Sequence, residues 1–520
     1  MIYYVIAFLV YIGFMLFSVF SSSKNAESLS DFTTGGHRMG VLIGTGTTCA
    51  TCIGAAYVLG FTGYTYQYGY ATMIAFLAGP LLGMALLSIL AYKARRPLLP
   101  PRTFPEYIRM RFEPTLKTST LQILIALITF VGYFVLTYMQ IVGFGTIFST
   151  ITGIDYKIAV FFFLIFLIFT SMGGFWSVAA TDLLNTILIV VGIGIVAVVL
   201  VGKVGGLGVI VENAATVTAP AIEGGDPTPL GQYVSTCGPY TALALFVVFL
   251  QNTFGIAASP HYTTRMSAPK NVKTAVLQYA LTPMVIFVLF CFLVVLGLTG
   301  RVLITSLPAG STADSILPQM IKQFVHPGIG AITLVAILAA AVSSANSFLL
   351  HCATSLMYDF IRPLTPALAD DEEKMKKSIR YAMLGMGLIA TFFTLKPPAL
   401  MALVQTMVYG PLASAFVGPI WLGMFWKRYN RPACYTSIVV GVTVFISCSL
   451  IGTPQPAFLY SAPAALITSI IVTLLTQPGP VESYESYFVP DVSADTIAIM
   501  ENVRHDTDLD IAARKAAQGK

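Results

Sequence analysis

A repeated run of apolar segments, each about 20 residues long and separated by short loops, dominates this chain, and its Lys and Arg residues gather in alternate loops. A bilayer core about 30 Å thick takes roughly 20 helical residues to cross, and a spanning helix must pair its backbone polar groups internally. With 56% hydrophobic residues, 10% charged residues and a mean hydropathy of +0.80, a water-soluble fold would lack the polar surface to cover so much apolar area. The pattern predicts an all-α polytopic membrane protein with thirteen spans: 2–20, 41–67, 70–92, 119–149, 156–172, 178–203, 236–262, 274–299, 328–360, 379–395, 399–425, 433–451 and 459–476.

Charge sets the expected orientation. With the N-terminus outside, the cytoplasmic segments hold 24 of the 29 Lys and Arg residues, seven of them between Lys93 and Lys117. The loop from Lys203 to Gln232 instead carries Glu212, Glu223 and Asp226. The positive-inside rule therefore predicts a multi-pass protein of the plasma (inner) membrane, N-terminus outside and C-terminus in the cytoplasm. The basic residues flank spans rather than form a stripe interleaved with aromatics, which argues against nucleic acid as a partner. Span 1 lacks a Lys or Arg before Lys24 and an A-x-A site, so it is expected to stay in the mature protein. The polar tail 477–520 is too short for a sizeable catalytic module, although its stretch from Asp495 to Ala517 suits a short surface helix. Membrane lipids are expected neighbours, and nothing in the sequence calls for an obligatory protein partner.

The working parts must then lie in the membrane domain, 1–476. Cys49 and Cys52 form a CxxC inside an apolar span; without a second ligand pair they read as small packed thiols rather than a redox or zinc site. Spans 2 and 7 depart from regular helix composition. The stretch of span 2 and its end holds Gly44, Gly46, Gly54, Gly60, Gly63 and Gly69 among small hydroxyls, while span 7 brings Gln251, Asn252, Gly255, Ser259, Pro260 and His261 to membrane depth. Unwound backbone at that depth is tolerated where protein or a water-filled cavity receives its polar groups. Spans 2 and 7 stand five apart, so each opens a block of five helices, about 41–203 and 236–425, and the odd number inverts the second block. Matched breaks in inverted repeats point to a secondary transporter with its site near the midplane, against the plainer reading that the glycines only ease helix packing.

Span 9 supplies an oxygen-rich face. The three- and four-residue spacing of Ala340, Ser343 and Ser344 aligns a carbonyl with two hydroxyls on one side of the helix. Such a half-cage suits a hard cation such as Na⁺, although serines in membrane helices also bond back to the preceding turn. Asp182, near the start of span 6, is read as the acidic side chain within a span. It faces either an ion path or a role in anchoring the helix start.

In order along residues 1–476, the stretches ATCIGAAYVLGFTG, GGFWSVAATD, SPHYTTRMSAP, AAAVSSANS and GPIWLGMFWKR resemble those of the sodium:solute symporter family, particularly its pantothenate, proline and short-chain monocarboxylate branches. The resemblance implies a leucine-transporter-like inverted repeat of five plus five helices. It implies one sodium between the carbonyls of Ala50, Ile53 and Ala340 and the hydroxyls of Ser343 and Ser344, with Asp182 on the sodium route to the cytoplasm. It also implies a solute cavity lined by Thr51, Cys52, Ala56, Tyr57, Tyr138, Gln140, Gln251, Asn252, Gln405 and Tyr409, where Gln140 and Gln405 either hold solute or bond neighbouring helices. His261 and His351 read as structural histidines, with titration near neutral pH the alternative for His261, and Arg265 reads as a membrane-anchoring residue at the cytoplasmic mouth, with transient balancing of a solute carboxylate the alternative.

The expected function is sodium-coupled import of a small organic solute by alternating access, with a carboxylate such as pantothenate or a short monocarboxylate as the leading solute. Proline, other amino acids, sugars and proton coupling stand as alternatives. No H-x-x-x-D or H-E-x-x-H motif supports a membrane-embedded enzyme.

Overall fold

The computed structural model describes residues 2–23, 28–171, 173–365, 371–395 and 401–504. It is helical almost throughout, and the described residues contain two isolated β-bridges, Met39 with Pro269 and Ile222 with Leu307, but no strand. Among the described residues, ten helices have the length and apolarity to cross a membrane, and the bent pair Val41–Cys52 and Tyr57–Tyr68 raises that to eleven. Thirteen crossings are not reached on those criteria. Span 5 is the 16-residue helix Tyr156–Ser171. Span 10, Glu372–Phe393, begins with Glu372, Glu373, Lys374, Lys376, Lys377 and Arg380 before its apolar run.

Alternate loops meet on opposite faces. On one face, the Leu29 amide donates to Glu372 (3.1 Å), Arg102 donates to the Arg504 carbonyl (3.2 Å) and Arg111 donates to the Gly423 carbonyl (2.8 Å). On the other, the Tyr66 hydroxyl lies 3.0 Å from the carbonyls of Ala221 and Ile304, to one of which it donates, and Arg301 donates to that of Pro220. The loops after odd-numbered spans thus share one side, as alternating crossings require. The tail differs from the expected surface helix: Ala494–Arg504 buries Thr496, Met500, Val503 and Arg504, and Met500 and Val503 pack on Leu99 and Met110. Residues 505–517 of that expected helix lie outside the described residues.

Span 9 forms the centre. Its most apolar stretch is 83% buried, compared with 17% for span 1. The cause is its run of small residues, Ala339, Ala340, Ala341, Ser343, Ser344 and Ala345, which lets neighbouring backbones approach. Span 6 comes so close that a Cβ on Gly192 would stand 2.5 Å from Cβ of Ala336. This contact fixes the serine face of span 9 against the interior.

Candidate functional site

The first half of span 2 ends at Cys52, and the chain bends through Ile53 (φ −93°, ψ 70°) before restarting at Ala55, with 49° between the halves. A helix end leaves carbonyls without their usual partners. Here the neighbouring span receives them: Ser343 Oγ donates to the Ala50 carbonyl (3.0 Å) or to that of Ala340 (3.2 Å), while Ser344 Oγ lies 3.2 Å from the carbonyls of Ala50 and Thr51. Three carbonyls and two hydroxyls therefore converge with only two hydroxyl protons to share. The surplus of lone pairs and the all-oxygen, uncharged donor set fit a monovalent hard cation. Four of the five expected ligand residues, Ala50, Ala340, Ser343 and Ser344, come together. Ile53 occupies the bend itself, and among the described residues no hydrogen bond ties its carbonyl to span 9. The Thr51 carbonyl is an addition that the sequence motif did not reveal.

Directly beside these oxygens lies a small cavity of about 10 Å³, lined by Thr51, Cys52, Gly54, Tyr57, Leu136, Gln140, Phe348, Gln405 and Tyr409. Six of the expected solute contacts thus share one chamber. Gln140 accepts from the Ala55 amide (2.8 Å), satisfying the start of the second half-helix, so it both lines the cavity and holds the break. Gln405 stands beside the phenols of Tyr57 and Tyr409. A Cβ on Gly54 would lie 2.6 Å from Gln140 Oε1 and 2.9 Å from Ser344 Oγ, so this glycine lets the cavity and the serine cluster adjoin. Its neighbours Leu136 and Phe348 escape sequence reasoning because apolar lining looks like ordinary core.

Three expected contacts lie elsewhere. Span 7 is continuous from Ala242 through Ala257 and breaks at Ala258 and Ser259, before Pro260; Gln251 and Asn252 therefore belong to regular helix, not unwound backbone. Asn252 donates to the Ala75 carbonyl (2.9 Å) and pins span 7 to span 3, while Gln251 faces Gly410. Tyr138 is not among the residues that line the cavity. The side chain of Ala56 lies outside the described residues. Asn252→Ala should consequently lower the thermal stability of the purified protein by about 1 kcal/mol, leaving the half-saturating solute concentration unchanged. A large rise in that concentration with normal stability would return Asn252 to the solute site.

The sequence also misjudged Arg265. It is 1% exposed, donates to Ser347 Oγ (2.7 Å) and stands 3.2 Å from His351 Nε2. Ser347 in turn lies 3.1 Å from the Thr51 hydroxyl, so the guanidinium sits one side chain beneath the cavity floor rather than at the membrane surface. The cause is the second half-helix of span 7, Pro260–Ser267, whose residues are all buried. His261 meets the Tyr133 hydroxyl at 2.8 Å, as a structural histidine does. Asp182 is fully buried, accepting from Thr47 (2.6 Å) on the first half of span 2, and thereby joins span 6 to the broken helix. It has company among acids at the ends of the spans: Asp359, in the π-helical end of span 9, accepts from Thr103 (2.7 Å) and Gln122 (2.9 Å).

Known proteins share this architecture. A sialic acid symporter, described as Na⁺-coupled and solved in a substrate-bound outward-open state, superposes with a TM-score of 0.75 at 20% identity, covering 92% of this chain and 98% of that one. The inward-facing conformation of Mhp1 gives a TM-score of 0.51 at 15% identity over 84% and 91%. The sodium/pantothenate symporter of Haemophilus influenzae is 23% identical over 85% of this chain and 88% of its own length. The osmoregulated proline transporter OpuE of Bacillus subtilis is 25% identical over 92% and 96%. Residues 32–441 match the family described as the Sodium:solute symporter family, a span that includes the serine cluster, the cavity and Asp182. The chain is therefore a transporter rather than an enzyme, built on the leucine-transporter-like fold, and it belongs to the sodium:solute symporter family with sodium as its coupling ion.

Proposed function

We propose that the protein imports a small monocarboxylate or pantothenate-like acid together with sodium, with the N-terminus outside and the C-terminus in the cytoplasm. The supporting observation for the solute is the cavity lining: phenols, amides and a hydroxyl supply hydrogen bonds, but no carboxylate among the lining residues pairs with an ammonium. An amino acid such as proline brings an ammonium, which a carboxylate in the lining would favour. The Arg265 guanidinium, one hydroxyl below the floor, adds positive potential that favours an anion. The cavity, about 10 Å³, has room for about one water, far below the ~300–1,000 Å³ usual for ligand pockets, so solute binding requires the site to widen.

Sodium held between the Ala50, Thr51 and Ala340 carbonyls and the two serines would tie span 2 to span 9. The hydroxyls then turn their lone pairs toward the ion and release the carbonyls they bond in its absence. Because the Thr51 side chain lines the cavity and its carbonyl faces the serines, ordering that residue favours solute binding. Linkage makes the effect mutual: solute tightens sodium by the same factor. One Na⁺ falling through about 100 mV and a tenfold gradient supplies about 3.7 kcal/mol. That sum sustains roughly 500-fold accumulation of a neutral solute, and a monoanion needs a second sodium for net inward charge.

The solute class is tested by uptake of labelled acetate, pyruvate, lactate, pantothenate, proline and glucose into proteoliposomes with sodium outside. Uptake of an acid that lacks an ammonium, with proline at least about tenfold weaker, is the expected outcome. Proline uptake equal to or above that of every acid would reject the monocarboxylate reading and leave the symporter fold untouched.

A further inference from the structure

A groove between spans 5 and 10 has no role in the transport site. Its helices run antiparallel: Tyr156 at the start of span 5 donates to the Thr394 carbonyl just beyond span 10 (3.0 Å), while Ser171 and Lys377 mark the opposite end. That end belongs to the face holding Glu372, Arg102 and Leu29, the face rich in Lys and Arg. The groove has a volume of about 300 Å³ and is lined by Ile168, Ser171, Lys377, Arg380, Tyr381, Met383 and Leu384.

We infer that this groove binds an anionic phospholipid, its headgroup at Lys377 and Arg380 and one acyl chain along Ile168, Met383 and Leu384. Lys377, Arg380 and Leu384 are spaced by three and four residues, so they lie on one helix face. From Lys377 to Leu384 that face descends about 10 Å, from headgroup level to acyl level. Tyr381 is 72% exposed where aromatic residues mark a membrane interface. Exposed Ile165 and Phe169 on span 5, and Leu388 and Ile389 on span 10, continue the apolar wall toward the lipid.

Charge complementarity selects an anionic headgroup. Among the described residues here, the five cations Arg102, Lys374, Lys376, Lys377 and Arg380 outnumber the three acids: Glu373 pairs with Lys376 (2.9 Å) and lies within electrostatic reach of Lys377 and Arg380, Asp371 pairs with Lys374 (3.0 Å), and Glu372 takes the Leu29 amide and lies 3.9 Å from Arg102. Lys377 is exposed, and Arg380 lies over the Phe32 ring, 5.3 Å from its centroid. Basic pockets between membrane helices on the cytoplasmic side are suited to anionic headgroups, and the apolar walls exclude a free phosphate as the natural occupant. The inference is independent of which solute is carried.

The test is native mass spectrometry of the full chain released from nanodiscs holding equal phosphatidylglycerol and phosphatidylcholine. The wild type should retain phosphatidylglycerol over phosphatidylcholine by about tenfold, Lys377→Gln should cut that preference several-fold, and Lys377→Gln with Arg380→Gln should abolish it. Lys377→Arg should keep it. Leu384→Trp, which fills the apolar end and leaves both cations, should lower retention of the bound lipid. Absence of a preference in the wild type, unchanged preference in Lys377→Gln, unchanged retention in Leu384→Trp or retention of a free fatty acid in place of phospholipid would each overturn the assignment.

Discussion

Ser344→Ala is expected to raise the sodium concentration that half-saturates uptake about tenfold, and Ser343→Ala to raise it several-fold. Each substitution removes one uncharged oxygen from the cluster, and a hydrogen-bonding or ligating contact to a charged group is worth about 1.5–3 kcal/mol. Ser344 carries the larger effect because it meets two span 2 carbonyls, Ala50 and Thr51, whereas one of the two partners of Ser343, Ala340, lies on its own helix. Alanine keeps the helix and packs in the same small space, so folding should survive. Sodium titration of uptake at matched surface expression reads the effect directly. If both variants keep the wild-type half-saturation, the hydroxyls serve packing alone and the cation assignment fails.

Asp182→Asn should lower the maximal uptake rate about tenfold, with the half-saturating sodium concentration changing less than about twofold. Asparagine keeps an oxygen to accept from Thr47, so the bridge between span 6 and the first half of span 2 stays in place. What disappears is the negative charge on the proposed ion path, and with it the attraction that draws sodium from the serine cluster toward the cytoplasm. A structural role for Asp182 predicts a different pattern: altered stability with an unaltered rate in the protein that remains folded. Single-turnover and steady-state uptake separate the two, and a full wild-type rate would remove Asp182 from the path.

Much of this architecture is legible in the sequence because membrane burial imposes simple periodicities. The serine pair of span 9 is a helical-face argument, and the structure puts both hydroxyls against the Ala50 carbonyl as that face requires. The break of span 2 is similarly visible in its glycines, with Gly54 at the place where side-chain volume would collide with Gln140 and Ser344. Span 7 shows the limit of composition. Polar residues at membrane depth resemble an unwound segment, yet Asn252 occupies regular helix and spends its amide on span 3, while the bend falls later, before Pro260. Arg265 was misread for a related reason: topology gives the depth of a residue along the membrane, not whether it faces lipid or the interior. Only the packing of Pro260–Ser267 beneath the cavity turns an expected anchor into a buried cation. The folding of the tail onto Leu99 and Met110 is a long-range contact with no local periodic signal.

The central claim is that solute movement is driven by sodium through the span 2 and span 9 cluster. Its most direct test is solute accumulation in proteoliposomes under an inward sodium gradient, with choline replacing sodium in the control and the Ser343→Ala, Ser344→Ala double variant run alongside. The prediction is accumulation above the external concentration with sodium, none with choline, and in the double variant recovery of uptake only at sodium concentrations at least about tenfold higher. Equal accumulation with choline, or an undiminished sodium response in the double variant, would contradict it.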